Sequence, residues 1–215
     1  MIASKQWIGR GVIAAPMLCS LFLTAWATGA ETGGARRIDT ARSKMTVRVF
    51  KSGFFSAFAH NHEIEAPIES GEVNEAGTAT DSAAVSGQVS GLGAELRVDA
   101  RKLRVLDPEA STETRAKIQA TMLGPQVLDT EHYPEIHFKS TVIEPRADSW
   151  VVRGMLELHG QSHPVEVEAT LKDGVYRGTA ALKQTAFGIK PVSIAGGTVN
   201  VKDEVRIEFE IALMN

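Results

Sequence analysis

The strongest constraint on the fold is an alternation of apolar and polar residues that recurs from Arg37 to the carboxyl end of the chain. In "EVRIEFEIALM", Val205, Ile207 and Phe209 alternate with charged residues, and "KMTVRVF", "EIHFKSTVIE" and "PVEVEATL" repeat the pattern. A period of two places successive side chains on opposite faces of a β-strand. Turn-like segments such as "EPRADS" and "KDG" separate these runs. The sequence therefore predicts one all-β antiparallel domain, a sandwich or a barrel.

One segment, "DPEASTETRAKIQATMLGPQVLD", departs from this alternation. Asp107 can cap a helix whose first residue is Pro108, and Gly124, followed by a proline, ends it. Glu113 and Lys117 are four residues apart, a spacing that supports a helix. We expect one short helix that lies across an opening or a flank of the β-structure and seals it.

The first thirty residues have the layout of a secretory signal peptide. Lys5 and Arg10 form a short basic region, and an uncharged apolar run and small residues follow as far as Ala30. Cleavage after Ala27 or after Ala30 fits this pattern. The alternative is an uncleaved anchor, because the run approaches the roughly 20 residues that cross a bilayer. We expect a signal peptide at 1–30 and a periplasmic or secreted domain at 31–215, with no integral membrane span after cleavage.

Cysteine content and charge exclude several classes of function. Cys19, the only cysteine, lies in the apolar run, so the mature domain has no disulfide, cysteine metal ligand or cysteine nucleophile. Because two of the 23 basic residues lie in the first thirty, the net charge of −3 becomes about −5 for the rest of the chain. Nucleic acid is not an expected partner, because phosphate binding needs a concentrated basic face.

The stretch "SAFAHNHEIEA" contains two histidines two positions apart. In a strand, His60 and His62 share a face with Ile64, and both imidazoles are predicted to point inward. Buried imidazoles need a cause, such as a metal, a polar ligand or a wet cavity mouth. A metal or haem site needs further ligands, for which His159 and His163 are candidates, although strand parity turns His159 outward. Polar lining near a cavity mouth is the other interpretation.

Motifs of catalysis are scarce. The chain has no Gly-x-Ser-x-Gly, no His-Glu-x-x-His and no glycine-rich phosphate loop. A hydrolase whose serine, histidine and aspartate come from distant segments stays an alternative, because such sites are recognised by geometry. We expect a binding protein with no cofactor rather than an enzyme.

Three segments carry a resemblance: "YPEIHFKS", "GMLELHG" and "FGI" occur in this order, within a pattern that spans nearly all of the mature chain. Together they resemble the YceI-like family of periplasmic polyisoprenoid-binding proteins. The resemblance implies a lipocalin-like antiparallel barrel of about eight strands whose interior holds a polyisoprenoid or quinone-like tail. An eight-stranded barrel can be packed solid or can hold one ligand, and the residues leave both open.

The candidate ligand contacts are the two inward histidines and a set of aromatic or adaptable apolar side chains. They are His60, His62, Phe54, Phe55, Phe58, Met122, Leu123, Phe138, Phe187 and Ile189. The histidines are predicted to meet a polar end of the ligand. Trp150, beside a turn, is expected to be a surface plug. The expected partner is a hydrophobic small molecule or lipid, and the chain is a candidate to form a homodimer.

Overall fold

The computed structural model describes residues 34–52, 61–75, 91–194 and 199–214. Within these ranges the chain is all-β with one α-helix, α1 (Thr112–Leu123). The strands are β1 (Ala35–Arg37), β2 (Lys44–Ser52), β3 (His62–Glu65), β4 (Ile68–Asn74), β5 (Gly93–Asp99), β6 (Arg104–Val105), β7 (Glu135–Pro145), β8 (Trp150–Leu158), β9 (Gln161–Lys172), β10 (Val175–Lys183), β11 (Ser193–Ile194) and β12 (Val199–Ala212). No helix in this part of the chain has the length and apolar character of a membrane span. The predicted signal peptide at 1–30 lies outside the described residues, as do Phe54, Phe55, Phe58 and His60.

All strands join one antiparallel sheet in the order β1-β4-β5-β7-β8-β9-β10-β12-β2-β3-β6, with β11 paired to β12. The sheet curls, because the residues that follow β1 meet the end of β12. Ile38 bridges Leu213, the Asp39 amide donates to the carbonyl of Ala212 at 2.8 Å, and the Met214 amide donates to the carbonyl of Arg37 at 2.8 Å. The predicted all-β antiparallel, barrel-like architecture is confirmed.

The expected number of strands, about eight, is too low. The pairing path holds eleven strands among the described residues, and β11 is a further one. Short interruptions explain part of the excess. The Asp39 side chain accepts from the Ala41 and Arg42 amides at 3.2 Å each, forming a turn that separates β1 from β2. Pro67, which has no amide proton for a sheet ladder, lies between β3 and β4.

The alternation found in the sequence selects the inward faces. Met45, Val47 and Val49 of β2 face the interior, as do Val205, Ile207, Phe209 and Ile211 of β12. On β7 the parity changes along the strand, because the register against β8 shifts between Ser140 and Val142. Ile136 and Phe138 therefore share the interior with Ile143 rather than with Val142.

Helix α1 covers one flank of the sheet, as expected, but it begins later than predicted. Ser111 is the N-cap, and its Oγ accepts from the Thr114 amide at 3.2 Å. The helix ends at Gly124, as predicted. Gln119 binds the backbone of the edge strand β6, accepting from the Val105 amide at 2.8 Å and donating to the Leu103 carbonyl at 2.7 Å. The predicted cap at Asp107 is wrong, because that side chain is engaged by β3 instead.

Asp99 organises the turn at Ala100–Lys102 that leads from β5 towards the helix. Its Oδ1 accepts from the Arg101 amide at 3.0 Å, and its two oxygens accept from the Arg101 guanidinium at 2.8 and 2.9 Å. These hydrogen bonds lower the pKa of the buried Asp99 carboxyl to about 2. The carboxylate therefore stays ionised in the folded protein well below neutral pH.

This lowered pKa predicts a pH-dependent stability. The folded pKa lies below the value of roughly 3.9 for an unfolded aspartate, so the contribution is complete above that value and is lost as the pH falls towards about 2. We expect Asp99→Asn to lower the free energy of unfolding by about 1 kcal/mol at neutral pH, because Arg101 is largely exposed. Urea unfolding should show that this difference narrows in acid. Asp148→Asn, on an exposed turn, is the control and should change nothing at either pH.

Gly154 allows β8 to approach β7 closely. A Cβ added at this residue would lie 2.5 Å from the Lys139 carbonyl oxygen and 2.6 Å from the Phe138 ring. We expect Gly154→Ala to destabilise the protein by about 2 kcal/mol, because neither neighbour can retreat without distorting the sheet. The control is Gly93→Ala on β5, where the nearest atom would be 3.4 Å away, and it should stay within about 0.5 kcal/mol of the parent. Equal losses in urea unfolding would contradict this account.

Candidate ligand-binding site

The interior of the curled sheet contains a cavity of about 420 Å³. This volume falls within the range of small-molecule sites, roughly 300 to 1,000 Å³. Its lining is dominated by apolar, mostly aliphatic side chains from the strands, including Met45, Val47, Val49, Ile64, Leu96, Val98, Ile136, Val152, Leu156, Val165, Val167, Ile207 and Phe209. The barrel is therefore hollow rather than packed solid, which the sequence left open.

The cavity extends between two ends of the barrel. At the helix end, Met122 of α1 and Leu128 beyond it contribute to the lining. The hairpin end lies at the turns between β7 and β8 and between β9 and β10, where Trp150 and Tyr176 line the cavity. An elongated apolar molecule thus has a continuous lining from one end to the other.

The structure divides the predicted ligand contacts into three groups. Met122, Phe138 and Ile189 line the cavity. Leu123 and Phe187 belong to the packed core around it but are not among its lining residues, and Phe187 is only 1% exposed. His62 is half-buried, with 27% of its side chain exposed, and it too is not a lining residue. The predictions for Phe54, Phe55, Phe58 and His60 concern residues outside the described ranges.

Trp150, expected as a surface plug, is half-buried and lines the cavity at its hairpin end. The Trp150 ring packs edge-on against the Tyr176 ring, with 5.9 Å between the centroids. The signal for this position was present in the sequence, because Trp150 has the same parity as Val152 and Leu156 on β8. Tyr176 likewise shares its parity with Ala180 and Leu182, two further lining residues of β10.

The polar lining is concentrated towards the hairpin end. Glu75 and Tyr176 share the inward parity of Val73 and Ala180 and supply polar side chains there. Glu72, Asn74 and Glu95 have the opposite parity, and the Glu95 side chain pairs with His137 instead. The Tyr176 hydroxyl donates to Glu75 Oε1 at 2.5 Å, and the Arg36 guanidinium donates to Glu75 Oε2 at 3.2 Å. The hydrogen bond from Tyr176 lowers the pKa of the Glu75 carboxyl, whereas burial raises the pKa of the Tyr176 hydroxyl. At neutral pH, Glu75 is a carboxylate and Tyr176 keeps its proton.

His62 forms a buried pair with Asp107 on the helix flank. Asp107 is 3% exposed, and its Oδ2 accepts from Nδ1 of His62 at 2.6 Å while its Oδ1 accepts from the Glu63 amide at 2.8 Å. A proton held on Nδ1 by a carboxylate leaves Nε2 as the acceptor nitrogen, which is the tautomer that a metal or a hydroxyl group requires. Asp107 thus ties the segment before α1 to β3, a role that its interpretation as a helix cap missed.

The other candidate metal ligands gather elsewhere, around Phe187. His159, with φ of 51°, donates from Nδ1 to the Phe187 carbonyl at 3.1 Å. Its ring packs against the Tyr133 ring at a tilt of 57°, with 4.6 Å between the centroids. His163 packs edge-on against the Phe187 ring at 5.2 Å. Among the described residues, no three histidine, cysteine or acidic side chains are placed to hold a metal ion. The three segments that carried the family resemblance therefore meet in one packed cluster of Tyr133, His159 and Phe187.

Comparison with known proteins agrees with this geometry. A family model described as "YceI-like domain" matches residues 37–213. The crystal structure of Burkholderia cenocepacia BcnA superposes with a TM-score of 0.58 at 20% sequence identity, covering 83% of this chain and 99% of that one. No curated protein matches the chain. At this identity, the likeness to BcnA shows a shared fold.

Proposed function

The chain belongs to the YceI-like family, and from that premise we propose that it is a binding or carrier protein that sequesters one apolar chain inside its barrel. The observation that carries the proposal is the cavity of about 420 Å³ with its predominantly aliphatic lining. A ligand that fills it is retained because apolar surface leaves water, at roughly 25 cal/mol per Å². Few polar groups interrupt that lining, and those few can orient the ligand.

The ligand class that fits this shape is an elongated hydrocarbon such as a polyisoprenoid or a quinone tail. The lining runs from Met122 at the helix end to Trp150 at the hairpin end, which suits a long molecule better than a compact one. Met122 is buried at the end of α1, and a methionine adapts to an irregular, branched chain. The family resemblance supports the same class.

We propose that the ligand is held and released unchanged. The aliphatic walls exclude water and stabilise a hydrocarbon without offering it a nucleophile. The proposal places the protein outside the cytoplasm, in the periplasm or beyond, because Lys5, Arg10 and the apolar run after them have the layout of an export signal. Its partner would be the membrane or protein that supplies and receives the lipid.

The test is to purify the protein from its native envelope and to identify by mass spectrometry what organic extraction releases. We expect a stoichiometric apolar molecule with a branched hydrocarbon chain. The extracted protein is then offered geranylgeraniol, and uptake is followed through the fluorescence of Trp150, the only tryptophan after residue 30. A blank extract together with no uptake of geranylgeraniol would overturn the proposal.

A further inference from the structure

A second cavity of about 330 Å³ lies at the hairpin end of the barrel. We name it the outer compartment. Arg36, Arg42, Glu75, Asp173 and Tyr176 supply its polar lining. Glu75 and Tyr176 also line the barrel cavity, so the two spaces meet at this hydrogen-bonded pair. The polar compartment therefore adjoins the hairpin end of the apolar cavity.

The side chains at this boundary are held in place. Tyr176 donates to Glu75 at 2.5 Å and packs against the Trp150 ring. Arg36 donates to the other Glu75 oxygen at 3.2 Å and, through Nε and Nη2, to the Met214 carbonyl at 3.2 and 3.0 Å. Groups fixed by several bonds can bind a ligand with little loss of conformational entropy. The side chains at the boundary are therefore preorganised to orient a polar group of a ligand.

The charges of the outer compartment indicate what kind of polar group fits. Two guanidinium groups, of Arg36 and Arg42, face two carboxylates, of Glu75 and Asp173. An anionic head would approach both carboxylates, and a cationic head would approach both guanidinium groups. A neutral head with several hydroxyl groups can accept from the guanidinium groups and donate to the carboxylates at the same time.

We infer that the outer compartment binds the neutral, polyhydroxylated head of an amphiphile whose apolar chain occupies the barrel cavity. The inference rests on the proposed function and adds the class of ligand: a glycolipid-like molecule rather than a phosphorylated or cationic lipid. The head lies at the hairpin end beside Glu75 and Tyr176, and the chain extends towards α1. The helix flank with His62 is not the head-group end of this ligand.

The inference is tested with four probes that share a decyl chain and differ in their heads: decyl glucoside, decyl phosphate, decyltrimethylammonium and 1-decanol. Each is titrated into the delipidated protein below its micelle concentration or, for 1-decanol, below its solubility limit, and Trp150 fluorescence and calorimetry report binding. We expect decyl glucoside to bind at least about tenfold more tightly than the phosphate, the ammonium compound or the alcohol. Such a preference would correspond to about 1.4 kcal/mol from the head group.

The Asp173→Asn variant tests whether the outer compartment contacts the head group. Asp173 lies in a turn with φ of 54°, a conformation that asparagine adopts readily, so the variant should keep the turn. We expect this substitution to lower the affinity for decyl glucoside about fivefold and to leave the affinity for 1-decanol unchanged. The control is Arg146→Gln on the neighbouring turn, whose side chain pairs with Glu144 outside the compartment and should affect neither probe.

The outcomes separate this inference from the proposed function. Equal affinity for all four probes would overturn the head-group site and leave the carrier function standing. Tighter binding of the phosphate or of the ammonium probe would also overturn the inference. If none of the probes binds while geranylgeraniol does, the head-group inference fails and the carrier function stands. Equal effects of Asp173→Asn and Arg146→Gln on decyl glucoside would show that the outer compartment does not contact the head.

Discussion

Ala180→Phe is expected to lower the affinity for an apolar-chain ligand by about tenfold or more. Ala180 lies on β10 between Val167 of β9 and Ile207 of β12, and all three line the barrel cavity. A phenyl ring there occupies space that the ligand would fill. Loss of about 60 Å² of ligand contact corresponds to about 1.5 kcal/mol, or roughly tenfold in affinity. Titration of geranylgeraniol into the delipidated variant measures the effect.

The neighbouring residue supplies the control for this substitution. Ala181 lies on the same strand but is exposed and pairs with Arg206, which is also exposed. Ala181→Phe should leave ligand affinity unchanged. Because the cavity is hollow, Ala180→Phe should unfold at a temperature no lower than the parent. A large drop in the unfolding temperature would indicate an interior that is already filled, since extra volume in a packed core costs about 1–3 kcal/mol.

Asp107→Ala is expected to lower the free energy of unfolding by about 3 kcal/mol. The substitution removes the acceptor for Nδ1 of His62 and for the Glu63 amide, and it leaves both donors without that partner beside the core. The loss of a buried acceptor costs the desolvation of the abandoned groups, about 1–3 kcal/mol for each. Asp107 also ties the segment before α1 to β3, so the helix flank should open more easily. Urea unfolding and hydrogen exchange of α1 measure these two effects.

The control is an exposed ion pair on α1. Lys117 donates to Glu113 at 2.8 Å, and both side chains are more than 70% exposed. Lys117→Ala should change stability by no more than about 0.5 kcal/mol. Asp107→Asn, which keeps an oxygen for the Glu63 amide, should fall between the two. If Asp107→Ala costs no more than Lys117→Ala, the buried pair does not hold the flank.

Local patterns predicted most of the sheet because strand periodicity is a property of neighbouring residues. The faces of β2 and β12 follow directly from alternation, and α1 ends at Gly124, whose backbone is extended before a proline. The same reasoning misplaced the helix start, because Asp107 and Ser111 are both good caps and only the position of β3 decides between them. Parity also failed along β7, where a register shift changes which side chains face inward.

The candidate site could be predicted from the sequence less completely than the sheet. Strand alternation predicted that Phe138 faces inward, and it does. The same alternation predicts an inward Trp150, but its position beside a turn favours the surface. Glu75 and Tyr176 are about a hundred residues apart, and Arg36 joins them from β1. No local pattern relates three such positions, because the curl of the sheet brings them together.

By itself, the sequence determined most strand faces, the presence of one helix and the family, because each depends on the order of residues along the chain. Only the tertiary structure decided that the barrel is hollow, that His62 is bound by Asp107, and that the polar lining gathers at the hairpin end. These properties depend on distances between strands that are remote in sequence. Whether an interior is filled depends on the volume that the closed sheet encloses, and no single strand carries that information.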